Sequence, residues 1–168
     1  YKNLYNTTIK FNKITTLIGV NNYGKTNFME ALNNFQNLIS NDESYLFFRN
    51  FSYNKNQDEN KIVLKITYER DNLDELEYYI EFNQISQNER SIKEILKIKE
   101  VNTIKYKTLF SREGLKIKYK TDLSSDRLNQ ESSLFEMQDK ELALKKLVYI
   151  DNINFRNIFN EIINFKIP

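Results

Sequence analysis

Gly19-Val20-Asn21-Asn22-Tyr23-Gly24-Lys25-Thr26 decides how this chain is read. It fits the pattern G-x-x-x-x-G-K-[ST], and its flanks are those the pattern requires. Upstream, Ile14 to Ile18 is a short, mostly β-branched run that predicts a buried strand ending at Gly19. Downstream, Phe28, Ala31, Leu32, Phe35, Leu38 and Ile39 recur at helical spacing and predict an amphipathic helix starting near Lys25. A polyphosphate needs several convergent N–H donors and a positive potential. Glycines let the backbone wrap it, and a new helix presents free amides and the positive end of its dipole. On this reading Lys25 reaches the β and γ phosphates and is the candidate catalytic residue. The Thr26 hydroxyl ligates Mg²⁺, which keeps most of its waters and takes few protein ligands. Gly19, Asn21, Asn22, Tyr23, Gly24 and Asn27 complete the cradle. The competing reading is a plain strand-to-helix turn in which Gly19 and Gly24 only supply unusual dihedrals. It does not explain why Lys25-Thr26 follows Gly24 directly.

Outward from the loop, Tyr5, Thr7, Ile9 and Phe11 alternate with Asn6, Thr8 and Lys10, the period-2 pattern of a half-buried strand, and Asn12-Lys13 turns the chain into the next one. Asn50 to Asn60 reads as a polar loop. From Ile62 to Lys120 the pattern becomes short strands: Ile62 to Glu69, Leu76 to Phe82, Ile92 to Glu100, Thr103 to Phe110 and Leu115 to Lys120. Short polar turns between them favour antiparallel hairpins, since a parallel return needs a longer crossover. After Thr121 come a polar connector and helices at Ser132 to Ile150 and Ile153 to Asn164. The fold class expected is α/β: a nucleotide-type βα phosphate-binding unit (1–44) joined to an antiparallel meander (45–120) and a helical connector (121–168), together one partial domain over 1–168, which the resemblance given below makes an ATP-binding one. Because it starts at Tyr1 and stops soon after an apolar run, the chain reads as a piece of something longer.

Composition narrows the chemistry. The 168 residues carry 25 Lys+Arg and 23 Asp+Glu, a net charge of +2, with 40% hydrophobic and 14% aromatic residues. That is enough apolar material for a core, and far from the low-hydrophobicity, high-charge profile of disorder. With no Cys and no His, a disulfide framework, a Cys/His zinc site, a thiol nucleophile and an imidazole base are excluded within these residues. Carboxylates, lysines, hydroxyls and backbone amides remain. No run approaches the roughly 20 apolar residues that cross a bilayer, and no signal peptide opens the sequence, so a cytoplasmic protein without a membrane partner is expected.

Lysine placement suggests a second feature. Lys97 and Lys99, Lys105 and Lys107, and Lys116, Lys118 and Lys120 share parity within their strands, with Ile98, Ile104, Tyr106, Ile117 and Tyr119 on the opposite parity. Two readings stay open: a solvated sheet face that also discourages edge pairing, or a local surface for nucleic-acid phosphates. The aromatics Phe28, Phe35, Tyr78, Phe82 and Phe159 sit at core periodicities, and Phe47-Phe48-Arg49-Asn50-Phe51 reads as closing the lobe in preference to supporting the nucleotide site.

Ile14 through Leu32 resembles the N-terminal ATP-binding segment of the RecF, SMC and OLD-like branch of ABC ATPases, whose usual form is LIGxNNxGKTNFLEAL. Asn27 after Thr26 and the ending Glu30-Ala31-Leu32 separate this branch from kinases, GTPases and helicases sharing the generic loop. The resemblance implies a P-loop NTPase lobe of ABC type, ATP and Mg²⁺ as cofactors, and a homodimer closed through ATP. It further implies work on DNA in repair, chromosome maintenance or defence against phage, with a nuclease domain or partner. The sequence departs from the family in three places. Tyr23 stands where Ser or Ala is usual, and Tyr5 stands where the opening strand carries a basic residue. The LSGG-type signature, Walker B carboxylates and switch His are not found. Leu147-Val148-Tyr149-Ile150-Asp151-Asn152 imitates a Walker B run but follows its Asp with Asn; Asp151 reads either as a metal-supporting carboxylate or as an ordinary element end. Hydrolysis would then need residues supplied from elsewhere, and a non-hydrolytic nucleotide-binding or scaffold module is the alternative.

Overall fold

Alternation builds the sheet. Along Glu75–Gln84, Leu76, Tyr78, Ile80 and Phe82 point to one face and are buried, while Glu75, Tyr79, Glu81 and Asn83 point to the other. The same division holds along the neighbouring strand, where Ile92, Leu96 and Ile98 are buried against Lys93, Lys97 and Lys99. A computed structural model describes residues 7–11, 16, 18, 19, 24–40, 61–84, 90–120, 129, 130, 141–149 and 153–164. Within them six strands follow one another in sequence order: β1 (Lys61–Glu69), β2 (Glu75–Gln84), β3 (Arg90–Lys99), β4 (Lys107–Glu113), β5 (Lys116–Tyr119) and the two-residue β6 (Asn129–Gln130). Every pairing is antiparallel. The meander expected over 45–120 is therefore present over its described part.

Among the described residues three helices, α1 (Lys25–Ser40), α2 (Ala143–Leu147) and α3 (Ile153–Ile163), pack on the apolar face. On α1 the predicted face is the buried one: Ala31, Phe35, Leu38 and Ile39 are buried, with Phe28 and Leu32 half-buried. A line of aromatic rings joins the layers. Phe35 of α1 meets Tyr78 of β2 at 6.5 Å between centroids, Tyr78 meets Phe110 of β4 at 6.3 Å, and Phe110 meets Phe159 of α3 edge-on at 5.9 Å.

The structure corrects several expectations. Residues 7–11, 16 and 18 are not in strands, and Ile18 is 91% exposed rather than buried. A strand exists only through the ladder it shares with a neighbour, and none of the six strands takes these residues as partners. The strand expected from Thr103 begins instead at Lys107. Thr103 donates both its amide and its hydroxyl to the Glu100 carbonyl, at 3.0 and 2.7 Å, and Asn102 takes φ 67°, so residues 100–106 are turn and Ile104 is 94% exposed. Pairing jumps from Leu96↔Phe110 to Lys97↔Thr108, a bulge that leaves Leu109 without a partner residue and shifts the parity of β4. Lys107 thereby falls opposite Ile98 rather than beside Lys97. Lys120, placed by parity on the open face, lies just past the end of β5 and is buried. Phe47 to Phe51, the loop Asn50 to Asn60, and residues 132–140 and 150 of the helix expected over 132–150 lie outside the described residues.

Candidate functional site

The eight-residue motif is described at its two ends. Gly24 has φ 94° and its carbonyl accepts the Phe28 amide at 2.8 Å, so it stands immediately before the first turn of α1. A side chain is disfavoured at that dihedral, which gives the second glycine of the pattern a physical reason. Gly19 is different. A Cβ added there would lie 3.9 Å from the nearest atoms of Lys25, an ordinary contact, and its backbone is not left-handed. The unusual dihedrals that the plain-turn reading assigned to both glycines are present at Gly24 alone.

Lys25 opens the helix, and its Nζ donates to the Gly19 carbonyl, drawing the two ends of the motif together. Thr26 is exposed and Asn27 half-exposed on the first turn, which contains no acidic residue. Amide ends, ammonium and hydroxyl thus collect at one end of α1 with no carboxylate in that turn to oppose an anion. Phe11 stacks on Phe28 beside this turn, 5.9 Å between centroids and 22° between planes. Asn21, Asn22 and Tyr23 lie outside the described residues, as does Asp151. The run leading to Asp151 is partly described: Leu147 ends α2, Val148 and Tyr149 form a turn, and Tyr149 is 79% exposed. Residues 147–149 are thus a helix end and a turn, not the buried strand that the Walker B reading needs.

Two further clusters were not singled out in the sequence. At the centre of the sheet Glu94 and Arg112 form an ion pair at 3.0 Å with both side chains 0% exposed. Glu94 also accepts the Tyr78 hydroxyl at 2.8 Å and the amides of Ala143 and Leu144 at 2.7 and 3.4 Å. Arg112 donates to the carbonyls of Gly114, at 2.6 Å, and Glu141. Burial, reinforced by the Glu94 charge, pushes the Tyr78 phenol well above its ordinary value, so it stays a donor. The network secures the start of α2, whose own flanking Leu142 offers no side-chain cap. A signal for it was available: Glu94 occupies an apolar parity between Ile92 and Leu96, and Arg112 does the same two residues after Phe110.

The other cluster lines a cleft of about 440 Å³ between the β1–β2 turn, the β3–β4 turn and α3. Its walls include Arg70, Asn72, Asp74, Glu100 and Asn157, none of them from the motif. Most of the charged groups are engaged with one another. Arg70 grips Glu161 of α3 through two hydrogen bonds of 2.7 and 2.6 Å, Asp74 accepts the Val101 amide at 3.0 Å, and Glu100 pairs with Lys107 at 3.0 Å. The cleft is best understood as the seam where the β1–β2 turn is fastened to α3 through Arg70 and to the β3–β4 turn through Asp74.

On the open face of the sheet three of the lysines lie against carboxylates. Lys65 and Lys97 both pair with Glu77, at 2.6 and 3.2 Å, and Lys99 lies 3.9 Å from Glu75. That pattern favours the solvated, ion-paired reading of the lysine face over a phosphate-binding one.

Fold and site together define an α/β protein in which helices cover one face of an antiparallel meander and one helix opens on a glycine-lysine-threonine turn. No family model, curated protein or solved structure matches the chain. Among the described residues no helix is long and apolar enough to cross a membrane, and no group of three or more acidic side chains forms a metal cluster.

Proposed function

We propose that residues 19–27 bind ATP with Mg²⁺, and that the chain is the N-terminal lobe of an ABC-type ATPase of the RecF, SMC and OLD-like kind. In such an enzyme an ATP-closed homodimer does DNA-related work, and hydrolysis is completed by residues beyond those quoted above. The observation that carries the reading is the turn itself: a glycine at φ 94° directly before a 16-residue helix, with the Lys25 ammonium folded back to Gly19. An incoming triphosphate would take that ammonium from the Gly19 carbonyl, exchanging a neutral acceptor for a charged one. The exposed Thr26 hydroxyl suits a cation that needs a single protein oxygen besides water and phosphate. When bound, Mg²⁺ would neutralise charge on the phosphates.

Titration of the purified chain with fluorescent ATP, with and without Mg²⁺, tests this. The wild type is expected to bind, Lys25→Ala to lose at least about tenfold in affinity, and Thr26→Ala to lose the dependence on Mg²⁺. Absence of binding by the wild type, or binding indifferent to Lys25→Ala, would sink the reading. A second reading, a non-hydrolytic nucleotide-binding or scaffold module, is favoured by residues 147–149 being a helix end and a turn rather than the buried strand a Walker B carboxylate would follow. Tight binding with no turnover in the intact protein would select it.

A further inference from the structure

The strand β1 is nine residues long and sits at the end of the sheet, hydrogen-bonded to β2 and, among the described residues, to no other strand. Such an edge carries a row of backbone donors and acceptors that another strand can use. Three observations bear on what that strand is. First, the apolar layer is only partly closed here: Ile62 is buried, but Leu64, Ile66 and Tyr68 are half-buried, whereas Leu76, Tyr78 and Ile80 one strand further in are 0% exposed. Second, β1 contains no proline or glycine, and Val63 is 43% exposed on its other face.

The third observation is charge. A two-fold axis through Lys65, perpendicular to the sheet, would set β1 antiparallel to a second copy of itself. Lys61 would then face Glu69, Ile62 would face Tyr68, Val63 would face Thr67 and Leu64 would face Ile66. Both Lys61–Glu69 contacts are of opposite sign, and on the apolar face half-buried Leu64 meets half-buried Ile66 while half-buried Tyr68 meets the already buried Ile62. Moving the axis by one residue loses this: centred on Leu64, Lys61 faces Thr67, and centred on Ile66, Glu69 faces Val63. Lys65 falls opposite its own copy, but its ammonium is drawn across β2 to Glu77 at 2.6 Å, away from the open edge.

We propose that β1 is an association edge for a second copy of this chain, forming one continuous antiparallel sheet through a two-fold axis at Lys65. This contact needs no nucleotide and is separate from any dimer closed through ATP.

Sedimentation equilibrium of the wild-type chain without nucleotide tests it, with circular dichroism and thermal melting as controls for folding. A reversible dimer is expected. Lys61→Glu places carboxylates opposite each other twice and should weaken the dimer by about tenfold or more. Glu69→Lys should do the same with ammoniums, and the double variant Lys61→Glu/Glu69→Lys should restore it. A wild type that stays monomeric at high concentration overturns the proposal, whether because the edge is idle or because another part of the chain covers it. A dimer indifferent to the single swaps, or one the double swap fails to rescue, overturns it equally. Failure of ATP binding leaves all these outcomes unchanged.

Discussion

At the scale of single residues, the most demanding group in the molecule is the Glu94 carboxylate. It has 0% side-chain exposure, and its acceptor sites are filled by a guanidinium, a phenol and two amides. Removing one partner of a buried ion pair strands the other charge, which costs about 3–5 kcal/mol. Glu94→Leu and Arg112→Leu are each expected to lower unfolding free energy by that order, read from urea midpoints at constant slope. The double variant Glu94→Leu/Arg112→Leu should cost clearly less than the two singles added together, because no charge is then left unpaired. Single losses below about 1 kcal/mol would mean water reaches the pair.

Among elements, the open face of β1, β2 and β3 is held by cross-strand charges rather than by packing. Partial burial pushes the Glu77 carboxyl upward, but hydrogen bonds and charge from Lys65 and Lys97 outweigh it and hold the group below its ordinary value of 4.5. A carboxylate depressed in the folded state contributes stability that is complete above its unfolded value and is lost as pH falls through the folded one. The melting temperature should therefore decline below about pH 4.5. Glu77→Gln should flatten that acid limb while lowering stability at neutral pH by no more than about 1 kcal/mol, since both lysines remain solvated. An acid limb identical in wild type and variant would show that the pairing contributes nothing. Tyr79 behaves in the opposite sense: burial and the neighbouring Glu81 push its phenol up to about 12.

Across the whole molecule, the rings of Phe35, Tyr78, Phe110 and Phe159 tie α1 and α3 to the two sides of one sheet face. Phe159 is 1% exposed, so Phe159→Ala should cost about 3–5 kcal/mol through lost burial and the cavity left behind. Amide exchange in α3 should quicken more than in β2 and β3, which keep their ladders. Equal quickening throughout would mean that α3 is no separate unit of stability.

Much was legible beforehand because it depends on local rules. Period-2 alternation located β1, β2 and β3 to within a residue or two, and helical spacing located α1 and α3 with the right buried face on α1. The motif announced its own turn, since only glycine is at ease at φ 94° where Gly24 stands. What composition and periodicity could not decide is who pairs with whom. The alternation around Tyr5 to Phe11 looks like a strand, yet a strand is made by its neighbour, and none of the six strands takes residues 7–11 as partners. The bulge at Leu109 reversed the parity of Lys107, and a turn at Asn102 removed Ile104 from the apolar face; each follows from geometry between strands, not within one. Glu94 and Arg112 look misplaced when read along β3 and β4. Only packing brings them together beneath the start of α2, because a buried charge is tolerable solely where the fold delivers all of its partners at once.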